Sequence, residues 1–550
     1  MPTERRLAAA RAGVALATAA LLVLPLAACA PAAPGGRPTP SPASALEIDV
    51  SDGSPTGDAI AIPGGLAAGV ERALAALPGI VADVLAESGV PGMSVAVVLG
   101  DDTVFAEGYG TKIAGQDDPV DAGTVFQIAS VSKSLTGTII AKAVSDGLVE
   151  WDTPVRELLP GFALADPYVT RNATIADYMT HRSGLYTGAG DDLETLGFDR
   201  DTILQRLRLL PLDAFRSTYN YSNFGITVAG EAVAAAAGMR WEDLAEETLF
   251  EPLGMASTSA RYDDYLARSD RATINALSDG VFAPLYQRDP DAESPAGGVS
   301  SSVVDLAEWM KLVASGGELD GAAYIAEDAL LPAISGQIVS GHPSALGDRG
   351  GEYGYGFNVG TALGGRPTVS HSGAFILGTG TNFRLLPGLG LGIVALTNGS
   401  PVGAAEAVVA AFLDVALYGA ETRDWTSAYR AAFAHYFEPE GDLVDVPRPA
   451  DPAPSGDLAG YAGVYRSDYF GELRVTLEDG GLVARLGPTG AFELALTPWD
   501  GDEFAFDISG EEAPPGSRSS AVFARTAGAV TGVTLGYFDR WGLGTFTRSP

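Results

Sequence analysis

The chain has 550 residues, of which 46% are hydrophobic and 19% charged, which supplies a large core and excludes a wholly disordered chain. Its formal charge of −35, from 34 Lys and Arg against 69 Asp and Glu, excludes both the basic footprint of a nucleic-acid binder and a polybasic membrane surface. One cysteine and four scattered histidines exclude a disulfide framework, a Cys-based metal site and an H-E-x-x-H zinc motif, and no motif calls for a cofactor.

Arg5, Arg6 and Arg11 precede an uncharged stretch over residues 12–28. A basic start, a short apolar run and small residues at its end read as a secretory signal peptide over residues 1–28. The run is marginal for a membrane span. Its end, Leu26-Ala27-Ala28-Cys29, resembles the bacterial lipobox, in which the cysteine becomes the lipidated first residue. The expected location is therefore the outer face of the cell membrane, as a lipoprotein, with plain secretion as the alternative. Residues 30–60, mostly Pro, Ala, Gly and Ser at first, read as a flexible tether.

The body begins with an amphipathic spacing over 62–89, followed by apolar runs at 93–99 and 104–109 joined by Gly100-Asp101-Asp102, a hairpin signal. Helical patterns follow near 130–148, 175–180, 224–237, 241–250 and 303–315. Strand-like runs return at 355–359, 368–370, 382–386 and 392–397, and a helix near 404–417 closes this part. Strands early, helices in the middle and strands late predict an α+β fold, with one mixed sheet flanked by helices plus a helical subdomain, over 62–420. A helix and a Pro-rich acidic linker occupy 421–457. From 458 to 550, eight short strand-like runs separated by Gly, Asp and Pro predict a small all-β barrel.

Three short motifs carry chemistry. Ser130-Val131-Ser132-Lys133 opens a helical run, and residues three apart share a helix face. A serine hydroxyl becomes a nucleophile when a neighbouring base takes its proton, and burial lowers a lysine's pKa enough to make it that base. With only four lysines in the chain, the pairing is informative. In Tyr221-Ser222-Asn223, a tyrosine beside a lysine can relay protons, and Asn223 offers a donor and an acceptor to a substrate amide. His371-Ser372-Gly373 follows a strand-like run, where a strand edge can pair with an extended substrate and Gly373 would admit its close approach. The N–H groups of Ala374 and Ser130 can form an oxyanion hole.

Together and in this order, the three resemble the Ser-x-x-Lys, Tyr-x-Asn and His-or-Lys-x-Gly signature of serine β-lactamases and penicillin-binding proteins. The flanks Phe126-Gln127-Ile128-Ala129, His181-Arg182-Ser183-Gly184-Leu185 and Pro295-Ala296-Gly297-Gly298-Val299 resemble further segments of the class C β-lactamase and DD-peptidase branch. Tyr461-Ala462-Gly463-Val464-Tyr465 resembles the start of a lipocalin-like barrel that many members carry. The resemblance implies a β-lactamase/transpeptidase-like fold. It also implies Ser130 as the acylated nucleophile, with Lys133 and Tyr221 as catalytic partners; either can be the acylation base. Asn223, His371, Ser372, Gly373 and Ala374 become substrate-binding, while His181 is expected to be structural.

Most class C enzymes have Lys-Thr-Gly where this chain has His-Ser-Gly, and a histidine is not reliably charged near pH 7. His-x-Gly resembles some DD-carboxypeptidases, D-aminopeptidases and esterases. The expected activity is hydrolysis of D-amino-acid peptides or amides, such as cell-wall peptides. The alternatives are an esterase or β-lactamase on the same site, or a non-catalytic penicillin-binding sensor whose barrel holds a ligand.

Overall fold

The structure, a computed structural model, describes residues 60–346, 349–362 and 364–550. The expected signal peptide, Cys29 and all of the tether but Ile60 lie outside the described residues.

Helix α1 (Leu66–Ser88) leads into a hairpin of β1 (Gly92–Leu99) and β2 (Asp102–Gly110). The middle of the domain holds α2 (Ser132–Ser145), α3 (Asn223–Ala237) and α4 (Val303–Ala314), with short helices between them. Six strands follow: β3 (Ile338–Gly341), β4 (Gly351–Tyr353), β5 (Asn358–Thr361), β6 (Pro367–Phe375), β7 (Thr379–Leu386) and β8 (Leu391–Thr397). They are followed by α5 (Ala404–Tyr418) and α6 (Trp425–Phe433).

The sheet order is β2-β1-β8-β7-β6-β5-β4-β3. It mixes strands from both ends of the domain, so the early hairpin meets the late strands at the β1–β8 pair, and neighbours run antiparallel. Nearly every residue of β1 and β8 is buried, on both faces, which is why their sequences are continuous apolar runs rather than alternating ones. One face packs on α1 and α5, through residues such as Leu77, Val81, Val408 and Phe412. The other packs on the central helices, through Ile139, Trp309 and Phe383.

The run at 355–359 starts its strand later than its sequence suggests. Tyr355, Gly356 and Phe357 form a buried turn against α2. A Cβ on Gly356, which has φ +85°, would stand 2.2 Å from the Lys133 carbonyl. Ser134 Oγ donates to the Gly356 carbonyl at 2.6 Å. The turn thus fixes the helix that carries Lys133.

The C-terminal part is a closed barrel of eight antiparallel strands: β9 (Gly463–Ser467), β10 (Gly471–Glu478), β11 (Gly481–Leu486), β12 (Phe492–Asp500), β13 (Glu503–Asp507), β14 (Arg518–Thr526), β15 (Ala529–Leu535) and β16 (Thr545–Arg548). Its interior is filled by Tyr461, Tyr465, Phe470, Phe504, Phe523 and Phe546, in edge-to-face and stacked contacts. Eight strands leave an interior just wide enough for side chains, and here side chains take it.

Candidate active site

Ser130 lies in a tight turn (Ala129–Val131) that runs directly into α2. The turn is held from both sides. Phe126 and Gln127 pair with Ser301 and Ser300, and Ile128 N donates to the Val299 carbonyl at 3.0 Å. Ala129 takes the left-handed conformation (φ +46°), uncommon for a residue with a Cβ. Such strain persists only where the surroundings impose it, and here it precedes the serine.

Lys133, one turn on, is fully buried. Its Nζ donates to Ser130 Oγ (2.9 Å), Asn223 Oδ1 (2.7 Å) and the Ala296 carbonyl (2.9 Å). Burial pushes its pKa down to about 8, opposed by the nearby carboxylates of Glu293 and Asp191. Three acceptors aim the amine, and desolvation weakens its hold on its proton.

The Tyr221-Ser222-Asn223 segment precedes α3. Ser222 caps that helix, its Oγ accepting from Gly225 N at 3.0 Å. His181 sits beneath the segment. Its Nδ1 accepts from Ser222 N at 3.1 Å, and its ring lies 4.5 Å from that of Tyr221. Burial holds the His181 pKa well below its usual value, so the ring is neutral and supports the loop. The Tyr221 ring lies 4.7 Å from Lys133 Nζ. Its buried hydroxyl is within electrostatic reach of Ser130 but has no well-aligned hydrogen bond. Burial raises its pKa well above the ordinary value, outweighing Ser130, so the expected ease of deprotonation is not what the site provides.

The third motif lies in β6, and alternation along the strand separates its residues. His371 and Gly373 face the serine. Ser372 faces the opposite way, toward Asn382, whose Nδ2 donates to Ser372 Oγ at 2.9 Å, and Glu406 on α5. Its side chain is buried away from the serine. A Cβ on Gly373 would stand 2.2 Å from the Ile128 carbonyl, 2.3 Å from Thr381 Oγ1 and 3.0 Å from Ser130 N. Glycine is thus required by the turn that carries the nucleophile, a different close approach from the one expected. It also brings the strand, and with it Ala374, beside the Ser130 N–H.

His371 is buried and both its nitrogens are engaged. Nδ1 lies 2.7 Å from the Ser372 carbonyl and must carry the proton, so Nε2 accepts from Tyr353 Oη at 2.9 Å. Burial, with Lys133 nearby, pushes its pKa down to about 3. The third motif is therefore neutral. Strand β5 pairs with β6 only as far as Ser370, which leaves the edge from His371 to Phe375 unpaired by it. That edge ends where Glu511 of the barrel accepts from Ile376 N (2.8 Å) and Leu377 N (3.2 Å).

Four participants escaped sequence reasoning. The Ala296 carbonyl lies within a segment already singled out by resemblance. Asp191, whose Oδ2 accepts from Asn223 Nδ2 at 3.3 Å, Tyr353 and Glu511 carry no local signal, because chain segments far apart in sequence deliver them.

A model of the beta-lactamase family matches residues 77–417, and one of a domain of unknown function matches residues 447–542. The unguisins hydrolase ungD of Aspergillus violaceofuscus is 29% identical over 428 residues, covering 71% of this chain and 74% of its own. Penicillin-binding protein 4 of Amycolatopsis lactamdurans is 29% identical over 400 residues, covering 70% of this chain and 94% of its own. In fold, the octameric penicillin-binding protein homologue from Pyrococcus abyssi is similar, with a TM-score of 0.56 at 20% identity over 86% of this chain and 100% of that one.

Proposed function

The chain belongs to the beta-lactamase family and is a serine hydrolase, and from that premise we propose that it cleaves D-amino-acid peptides or amides through an acyl-enzyme on Ser130. The observation that carries this reading is the Ser130–Lys133–Asn223 hydrogen-bonded set with Tyr221 against it. Lys133 is the acylation base: its pKa is lowered to about 8, while that of Tyr221 is driven far up. As Ser130 Oγ attacks the substrate carbonyl carbon, its proton passes to Lys133 Nζ. The N–H groups of Ser130 and Ala374 hold the oxyanion. Neutral Tyr221 then gives its proton to the departing amine and recovers one from Lys133, and water hydrolyses the ester to free Ser130.

The neutral His371 favours a second reading of the same machinery. A site without a cation in its third motif grips a substrate carboxylate weakly, which turns the choice from carboxypeptidase or β-lactamase toward aminopeptidase or esterase. The filled barrel interior, in turn, supports the hydrolase over a sensor that stores a ligand there. The lipobox-like Leu26-Ala27-Ala28-Cys29 supports export and a lipid anchor at the outer face of the cell membrane.

The test treats the protein lacking residues 1–29, and its Ser130→Ala variant, with a fluorescent penicillin and a fluorophosphonate, and locates the adduct by mass spectrometry. Fluorophosphonate on Ser130, lost in Ser130→Ala, is expected. Penicillin labelling as well would point to carboxylate-bearing cell-wall peptides. Labelling by neither in folded protein would sink the acyl-enzyme.

A further inference from the structure

The unpaired edge of β6 runs in two directions from the serine, and the site decides which part of a substrate takes each. The acyl carbonyl lies at the N–H groups of Ser130 and Ala374. The leaving group lies on the His371 side, because Tyr221, which protonates it, has its ring 6.3 Å from that of His371. The acyl part therefore runs the other way, past Ala374 toward Phe375, Ile376 and Leu377. A peptide laid along β6 in this sense is antiparallel to it. In an antiparallel pair every second residue offers its N–H and C=O to the same neighbour. The acyl residue at the scissile bond pairs with Ala374, so the third residue back meets Ile376, about 7 Å further along.

Ile376 is not free to pair. Its N–H is taken by Glu511 (2.8 Å), which also accepts from Leu377 N (3.2 Å). Its carbonyl accepts from Ser400 Oγ at 2.6 Å. Glu511 belongs to the tip of a barrel hairpin between β13 and β14, where Gly510 N donates to the Ala513 carbonyl at 2.9 Å across Glu511 and Glu512. The tip is braced from behind, since Tyr537 Oη donates to the Glu512 carbonyl at 2.6 Å. The barrel that carries it is fixed to the hydrolase domain. Tyr186 and Trp541 stack at 4.8 Å, Tyr469 Oη donates to Asp192 Oδ1 at 2.7 Å, and Arg206 donates to the Tyr469 carbonyl at 2.6 Å. Bonds from backbone N–H groups to a carboxylate are stronger than those to a peptide carbonyl, so an incoming chain gains too little to displace Glu511.

We infer that Glu511 of the barrel is the acyl-side stop of the active site, limiting the acyl part of a peptide substrate to about two residues. The barrel thereby sets substrate length, and the enzyme acts near the amino end of its substrates rather than trimming the carboxyl end of longer chains. This inference rests on the Ser130 acyl-enzyme reading and narrows it to substrates with a short acyl part.

The test uses uncapped diphenyl phosphonates built from one, two, three or four D-alanine residues. The phosphonate replaces the terminal carboxyl, so the whole peptide lies on the acyl side. The rate at which each labels Ser130 in the full chain is followed by mass spectrometry, with a fluorophosphonate as the length-independent control. Labelling is expected to fall at least about tenfold between the probes of two and three residues. Glu511→Ala, which frees the Ile376 N–H, should remove most of that fall, while Glu511→Gln, which keeps the bulk of the side chain, should retain it. Equal rates at all lengths in the parent protein would overturn the stop even should Glu511→Ala fail to fold, and so would a fall that survives in folded Glu511→Ala. Failure of every peptidyl probe while the fluorophosphonate labels Ser130 would overturn it too, since no peptide acyl chain then reaches the serine. No labelling of Ser130 by either reagent would overturn the acyl-enzyme reading, and the stop with it.

Discussion

At the scale of single residues, the site works by desolvation. Lys133, Tyr221, His181 and His371 are all buried, and burial drives each toward its neutral form: the amine and the imidazoles down, the phenol up. The amine alone lands near physiological pH. The free amine is the basic form, so its fraction rises as pH climbs through about 8. We therefore expect kcat/KM to increase with pH up to a shoulder near that value, with no second limb at pH 6–7, where an ordinary histidine titrates. Lys133→Met should lower kcat by about 10²–10⁴-fold, the range of a general base, and abolish the rise. A profile set by a group near pH 6.5 would instead return His371 or His181 to proton transfer.

At the scale of elements, loops are delivered to the site by buried polar clamps. Asp177 is the clearest. Its carboxylate is fully buried and accepts from Arg182 Nε (2.8 Å), Arg216 Nη2 (2.7 Å) and the Thr174 backbone and hydroxyl (3.0 Å each). It caps a short helix (Ile175–Met179) and ties the loop at His181 to the loop that ends in Tyr221. Asp177→Asn should cost about 2 kcal/mol, less than the ~3–5 of a fully buried pair because Arg216 is half exposed. Urea unfolding measures it. The Asp177 pKa is lowered on folding by Arg216, Thr174 and Arg182 against the cost of burial. Its stabilisation is therefore complete above the usual carboxylate range and lost as pH falls through the lowered value. The variant should lose that part of the acid sensitivity, and kcat should fall more than KM rises, since the Tyr221 loop is what loosens. These clamps mark the limit of what the sequence discloses. The eight barrel runs and the β1–β2 hairpin are legible because alternation and apolar continuity are local signals. So is Ser130–Lys133, because helical spacing is local. Strands β3 and β4 lie among Gly, His, Pro and Ser with no alternation, and Asp177, Asp191 and Tyr353 gain their roles only from partners distant in sequence. The direction of Ser372 was equally hidden, because strand register decides it and register comes from pairing with β7.

At the scale of the whole molecule, the barrel and the hydrolase domain share one apolar core, in which Leu193, Leu196 and Phe198 are continuous with Tyr469 and Phe470. Polar ties run along the same boundary, from Tyr469–Asp192 to Glu511 on the backbone beyond Ala374. Glu511 answers two N–H groups at the end of the substrate edge, so the barrel and the catalytic strand are held as one body. Loosely joined domains unfold separately, whereas domains that share a core lose their contacts together. Calorimetry of the described body, residues 60–550, should thus give one transition whose van't Hoff and calorimetric enthalpies agree. Trp541→Ala removes an aromatic stack from that boundary and should lower the whole transition without splitting it. Two resolved transitions in the parent protein would mean that the barrel is a spacer and would undercut any role for it at the active-site mouth. A single transition that splits only in Trp541→Ala would show instead that the Tyr186–Trp541 stack carries most of the coupling.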